Sequence, residues 1–134
     1  MATTTIDTAR AAIEARIAAQ WADTRIRWPG QHYTPPDDKS WLAVDIVWGD
    51  GIMLTKNGRN SLVGVLYLNI YVPVGTTGGR VLAELCDDAR DMINRWSGSG
   101  VVFEAPSGPR LSVMADSKWR QATITAAFTI EEEV

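Results

Sequence analysis

The sequence predicts an α+β fold, a mostly antiparallel β-sheet with two helices packed on one face. Three observations carry this. Apolar residues recur at spacings of three and four in two segments, 6–21 and 82–96. They alternate every second residue, as in strands, over 41–48, 61–72 and 118–130. Consecutive strand segments are joined by short turns, which only antiparallel hairpins can bridge.

The first helix is predicted from Thr3 to Trp21, with Thr4 and Asp7 placed as a shortened capping box. Its apolar stripe is Ile6, Ala9, Ile13, Ile17 and Trp21. Ala11, Ala15, Ala18 and Ala22 form a flank that suits solvent or a close helix neighbour. Arg25 to Trp28 is a short strand, ended by Pro29 and Gly30. Residues 29–40 carry three prolines and form a loop, because proline cannot donate to a ladder. In the strand from Trp41 to Trp48, Leu42, Val44, Ile46 and Trp48 share one face.

After a bend at Gly49–Gly51, Asn57–Gly58 is the strongest hairpin signal in the chain. Ser61 to Val72 follows as a long strand, apolar on both faces. Such a strand is either central and covered twice, or presents one face to another subunit. A Gly/Thr loop leads to the second helix, Arg80 to Trp96, stopped by Ser97–Gly100. Three strands, 101–105, 111–115 and 118–130, complete the order, with turns at 106–109 and 116–117. Neither repeat nor linker divides the 134 residues, so a single domain over 1–134 is expected.

Composition narrows the function. There are 13 Lys and Arg against 16 Asp and Glu, so the net charge of −3 does not suit a free-standing nucleic-acid binder. One Cys and one His rule out a disulfide framework and a Cys/His zinc site. Met1–Thr5 lacks a basic leader, and the longest apolar run is too short to span a bilayer, so a soluble chain without membrane contact is expected. Charge is uneven: residues 1–83 hold 8 basic and 7 acidic side chains, and 84–134 hold 5 and 9. Six Trp in so short a chain demand a core or a partner.

No catalytic constellation emerges. Gly75–Arg80 lacks the Gly-Lys-Ser/Thr ending of a phosphate loop and reads as a turn with an N-cap at Thr76 or Thr77. His32 has only Asp37 and Asp38 near it in sequence, and a surface loop histidine explains it better than a general base. Cys86 falls beside the apolar stripe of the second helix, as a small buried hydrophobe would. Asp87, Asp88 and Asp91 read as a solvated helix face. Trp21, Trp48 and Trp96 fit core stripes, whereas Trp28, Trp41 and Trp119 suit edge anchors at an interface. Arg25, Arg27, Lys118 and Arg120 flank Trp28 and Trp119, a local pattern that also fits a nucleic-acid module. The excess of apolar surface points instead to a non-enzymatic assembly subunit without cofactor or metal.

Several local motifs then line up. "Ala-Arg-Ala-Ala-Ile-Glu-Ala-Arg" (9–16) leads to "Tyr-Thr-Pro-Pro" (33–36) and "Trp-Leu-Ala-Val" (41–44). "Ile-Tyr-Val-Pro-Val-Gly-Thr-Thr-Gly" (70–78) precedes the second helix, and the chain closes on Glu131–Glu132–Glu133–Val134. Over roughly residues 6–131 this layout resembles the tail terminator-like (tail completion) proteins of siphophages and related prophage elements. The resemblance implies a structural virion protein, made in the bacterial cytoplasm and placed at the head–tail interface. It implies a homo-oligomeric, hexameric ring that caps the tail tube, stops its polymerisation and meets a head-side connector protein. DNA would pass through the lumen without specific binding.

On this reading Lys56, Asn57, Gly58, Arg59, Tyr67, Tyr71 and Trp119 are candidates for contact with a neighbouring subunit or the tail-tube protein. Asp87, Asp88, Asp91, Glu131, Glu132 and Glu133 are candidates for a DNA-repelling lumen face. Rival readings are another head–tail connector or tail-tube subunit, or a small ligand-binding domain using His32.

Overall fold

The computed structural model describes residues 6–30, 39–53, 59–74, 78–98, 100–113 and 119–133. It has two helices, α1 (Ile6–Gln20) and α2 (Gly78–Ile93). Its seven strands are β1 (Arg25–Arg27), β2 (Trp41–Met53), β3 (Arg59–Pro73), β4 (Ser97–Gly98), β5 (Val101–Phe103), β6 (Ser107–Val113) and β7 (Trp119–Glu133). They form one sheet in the order β1-β2-β3-β7-β5-β4, with β6 also paired to β7. Every pairing is antiparallel except β1 with β2, which is parallel because the chain crosses over between them.

The middle of the sheet is a long three-stranded ribbon. β3 pairs with β7 from Arg59 opposite Glu133 to Pro73 opposite Trp119 without a register shift. β2 follows β3 from Trp41 opposite Tyr71, and its register shifts once, between Trp48 and Gly51, where the sequence predicts a bend.

Alternation decides which side is buried. Leu66, Leu68, Ile70 and Val72 of β3, Leu42 and Val44 of β2, and Ala122, Ile124, Ala126, Phe128 and Ile130 of β7 point to one face and are buried. Ala9, Ile13 and Ile17 of α1 join them in a single core cluster, with Leu82, Leu85, Cys86, Ala89, Met92 and Ile93 of α2. Both helices therefore cover the same face, as expected. The Ala-rich flank of α1 (Ala11, Ala15, Ala18) is exposed, so it faces solvent and not another helix.

The helices are pinned at specific points. The Arg16 guanidinium of α1 donates from Nε to the Met92 carbonyl at 3.1 Å and lies 5.6 Å from the Trp96 ring centre, tying α1 to the end of α2. Arg90 of α2 donates from Nη1 to the carbonyls of Pro106 (2.9 Å) and Gly108 (2.7 Å), fastening α2 to the start of β6.

Two expectations change. The segment 106–109 is not wholly a turn, because β6 begins at Ser107 and continues past a register shift between Ser107 and Arg110. Gly108, with φ +102°, makes that shift possible, and a β-carbon there would meet the Thr123 carbonyl at 2.7 Å. Residues 97–98, expected only to stop the helix, form β4 and pair with β5.

Candidate assembly surface

Among the described residues no helix covers the second face of the sheet. Across its rows, Trp41 of β2 stands opposite Tyr71 of β3, and Tyr71 opposite Gln121 of β7. The next rows are Ala43, Asn69, Thr123 and then Asp45, Tyr67, Thr125. Beyond these, Val47 faces Val65, and Val63 faces Thr129, which in turn faces Val102 of β5. The long strand thus resolves the alternatives left open by its sequence. Its even residues are core, and its odd residues remain half-buried or exposed within the chain.

This face has three zones. At one end Trp41 and Tyr71 stack, with ring centres 4.2 Å apart and planes within 10°. Trp119 meets Trp41 edge-on, at 6.4 Å and 89°. Burial in this cluster pushes the Tyr71 phenol above its ordinary value, with the nearby Arg27 cation opposing the shift. In the middle lies a polar band. Arg27 pairs with Asp45 at 2.6 Å, and Asn69 Oδ1 accepts from Thr123 Oγ1 at 2.7 Å and Gln121 Nε2 at 3.2 Å. At the other end Val47, Val63 and Val102 are exposed, an aliphatic patch.

Of the residues singled out as contacts, Tyr67, Tyr71 and Trp119 lie on this face, with Tyr71 and Trp119 in its aromatic zone. Arg59 is placed by its backbone alone, opposite Glu133, while Lys56, Asn57 and Gly58 lie outside the described residues. The three valines are not picked out for contact by spacing alone. Trp41 was noted as an edge anchor, but its stacking on Tyr71 needed the β2–β3 register. Trp28 differs from its reading as an edge anchor, because it packs against the core.

The acidic candidates separate. Asp87, Asp88 and Asp91 are all exposed on α2, far around the fold from the open sheet face. Asp88 shares a hydrogen bond with Asp23, which raises its carboxyl above the ordinary value. Glu131, Glu132 and Glu133 pair by backbone with Ser61, Asn60 and Arg59 at the far end of the ribbon.

The basic pattern proposed for nucleic acid does not come together. Arg25 and Arg27 stand in register with Trp41 and Ala43, on the open face. Arg120 stands opposite Val72, on the helix side. Lys118 lies outside the described residues, as do His32, Asp37 and Asp38. Cys86 is buried at 2% exposure, and burial pushes its thiol up to about 11. Among the described residues no group of three or more His, Cys, Asp or Glu side chains is arranged for a metal ion. No helix among them is long and apolar enough to cross a membrane.

A family model described as "Phage tail terminator protein" matches residues 8–86, more than half of the chain. The chain belongs to the phage tail terminator family. It is accordingly a structural, non-enzymatic component of the virion tail that interacts with other tail components. The matched stretch runs from α1 through the β2–β3 hairpin and into α2, so it includes most of the open face. A solved structure similar over 95% of this chain and 96% of its own superposes with a TM-score of 0.71 at 18% identity, which shows that the two share the terminator's α+β fold. No curated protein matches the chain in sequence.

Proposed function

We propose that this tail terminator assembles into a hexameric ring that caps the tail tube, stops its polymerisation and offers the head-side connector its docking surface. The observation that supports the reading most directly is the uncovered sheet face. A chain of 134 residues spends four aromatic side chains, Trp41, Tyr67, Tyr71 and Trp119, and three valines on a surface that its own helices leave open among the described residues. Aromatic and aliphatic patches left exposed in this way are ordinarily covered by another protein.

In this reading Tyr67, Tyr71 and Trp119 are contacts to a neighbouring subunit or the tube, together with Lys56, Asn57 and Gly58 of the segment between β2 and β3 and Arg59 at the start of β3. Asp87, Asp88 and Asp91, and the Glu131–Glu133 segment, face the lumen and repel the passing DNA. The exposure of the three aspartates is compatible with that role.

Electron microscopy of tail-tube protein polymerised with and without the chain tests the reading. Capped tubes of limited length, each carrying a six-fold ring at one end, are the expected result. Tubes of unchanged length with no density at either end would sink it. Purified chain that forms long tubes alone would identify it as a tube subunit instead.

A further inference from the structure

Arg120 of β7 carries a donor that the described residues leave unsatisfied. Its side chain is on the helix side of β7, its Nε is fully buried, and that atom has no hydrogen-bond partner among the described residues. Among the described residues the guanidinium makes no ion pair either. A buried donor left unmade costs about 1–3 kcal/mol, so a partner beyond the described residues would stabilise it.

Arg120 also lines a cavity of about 140 Å³ between α2 and β6. The remaining walls are nearly all apolar: Leu82, Ala83 and Cys86 from α2, and Pro109 and Leu111 from β6. Leu111 is 65% exposed at its rim. An apolar hollow with one unpaired cation in its wall fits an aliphatic side chain accompanied by a carboxylate.

The chain itself carries such a group. Three exposed aliphatic residues have a carboxylate within two positions: Ile6 with Asp7, Val47 with Asp45, and Val102 with Glu104. Asp7 is already held by Arg10, and Asp45 by Arg27. Glu104 is exposed and has no hydrogen bond or ion pair to its carboxylate among the described residues. The Glu104 backbone N–H donates to the Ala127 carbonyl at 3.0 Å, so the chain stays extended from β5 and puts Val102 and Glu104 on the same side.

We propose that Val102 and Glu104 of a second copy of this chain occupy the α2–β6 cavity, with the Glu104 carboxylate completing Arg120. The contact rests on the assembly reading above and names one of its surfaces. Projection and cavity are different patches, so the contact is heterologous, the type from which rings are built.

Charge reversal tests it, with self-association followed by sedimentation and native mass spectrometry. Arg120→Glu and Glu104→Arg alone each weaken association by roughly thirtyfold or more. The double variant Arg120→Glu/Glu104→Arg restores it to near the wild-type value. Arg120→Gln, a shorter neutral side chain that still donates from its amide, serves if the reversal fails to fold, and it too weakens association. Three results would overturn the contact: a wild type monomeric at millimolar concentration, single reversals without effect, or a double variant no better than the singles. Tube capping by the wild type is scored in parallel. A wild type that caps tubes but ignores both reversals removes this contact alone, and one that associates through the pair without capping removes the assembly reading alone.

Discussion

The ring of Phe128 lies against the backbone of Gly64, its direct partner across β3 and β7, so closely that a β-carbon on residue 64 would sit 2.4 Å from Phe128 Cζ. On the other side Gly64 pairs with Trp48, whose ring meets Phe128 edge-on at 5.2 Å and 88°. The missing side chain is what lets the two aromatic rings meet above the central strand. Phe103 joins the same cluster, 5.1 Å from Phe128 and 5.9 Å from Trp96.

Gly64→Ala is therefore an overpacking substitution in the middle of the sheet. It lowers the stability to denaturant by about 1–3 kcal/mol, because the ring and the ribbon backbone must both give way. A midpoint unchanged in urea would contradict this. Phe128→Ala removes the ring and costs more, about 3–5 kcal/mol.

The Arg27–Asp45 pair joins the short parallel strand β1 to β2 on the open face. Its carboxylate is partly solvated, at 42% exposure, so screening keeps it weak. Arg27→Ala lowers stability by less than about 1 kcal/mol. Tail-capping activity falls further than that only if the open face carries the contacts, which a capping assay on the same variant measures.

Cys86 supplies a pH signature. Its folded pKa of about 11 lies above the ordinary thiol value, because burial disfavours the thiolate. The folded state thus holds its proton more tightly than the unfolded one. The resulting stability is complete below pH 9 and is lost as pH rises towards about 11. Cys86→Ala flattens the alkaline slope of thermal stability, and the wild-type thiol reacts with a disulfide reagent at neutral pH only after denaturation.

Asp23 and Asp88 form the acid-side counterpart. Their shared hydrogen bond raises the Asp88 carboxyl, so this contact stabilises the fold at low pH and fades as pH rises through the raised value. At neutral pH the two charges repel. Asp88→Asn keeps the hydrogen bond without the charge and gives a small gain in melting temperature at pH 7 that disappears in strong acid.

Sequence periodicity was sufficient for both helices and for the three long strands, because each has one continuously buried face. Leu66, Leu68, Ile70 and Val72 are core by alternation alone. The short pieces were harder. β4 has two residues and β5 three, and their pairing depends on β7 and not on any local pattern. Only the start of β6 was hidden by Gly108 and Pro109: the strand expected from Leu111 begins at Ser107 and passes through the residues that read as a turn. Tyr67, Tyr71 and Trp119 were legible as contact candidates because they are large residues on the odd face of strands whose even face is core. Arg120 was misread as part of a basic patch with Arg25 and Arg27, since its face follows from the β3–β7 register, which no single strand reveals.

The uninterrupted pairing of β3 with β7 has a mechanical consequence. Both strands have 15 residues and run antiparallel in full register, about 50 Å end to end. A pull along their length strains the whole ladder of hydrogen bonds at once, as in a lap joint, whereas a pull across it would open them one by one. A subunit whose neighbours grip opposite ends of this ribbon resists stretching in its strongest direction.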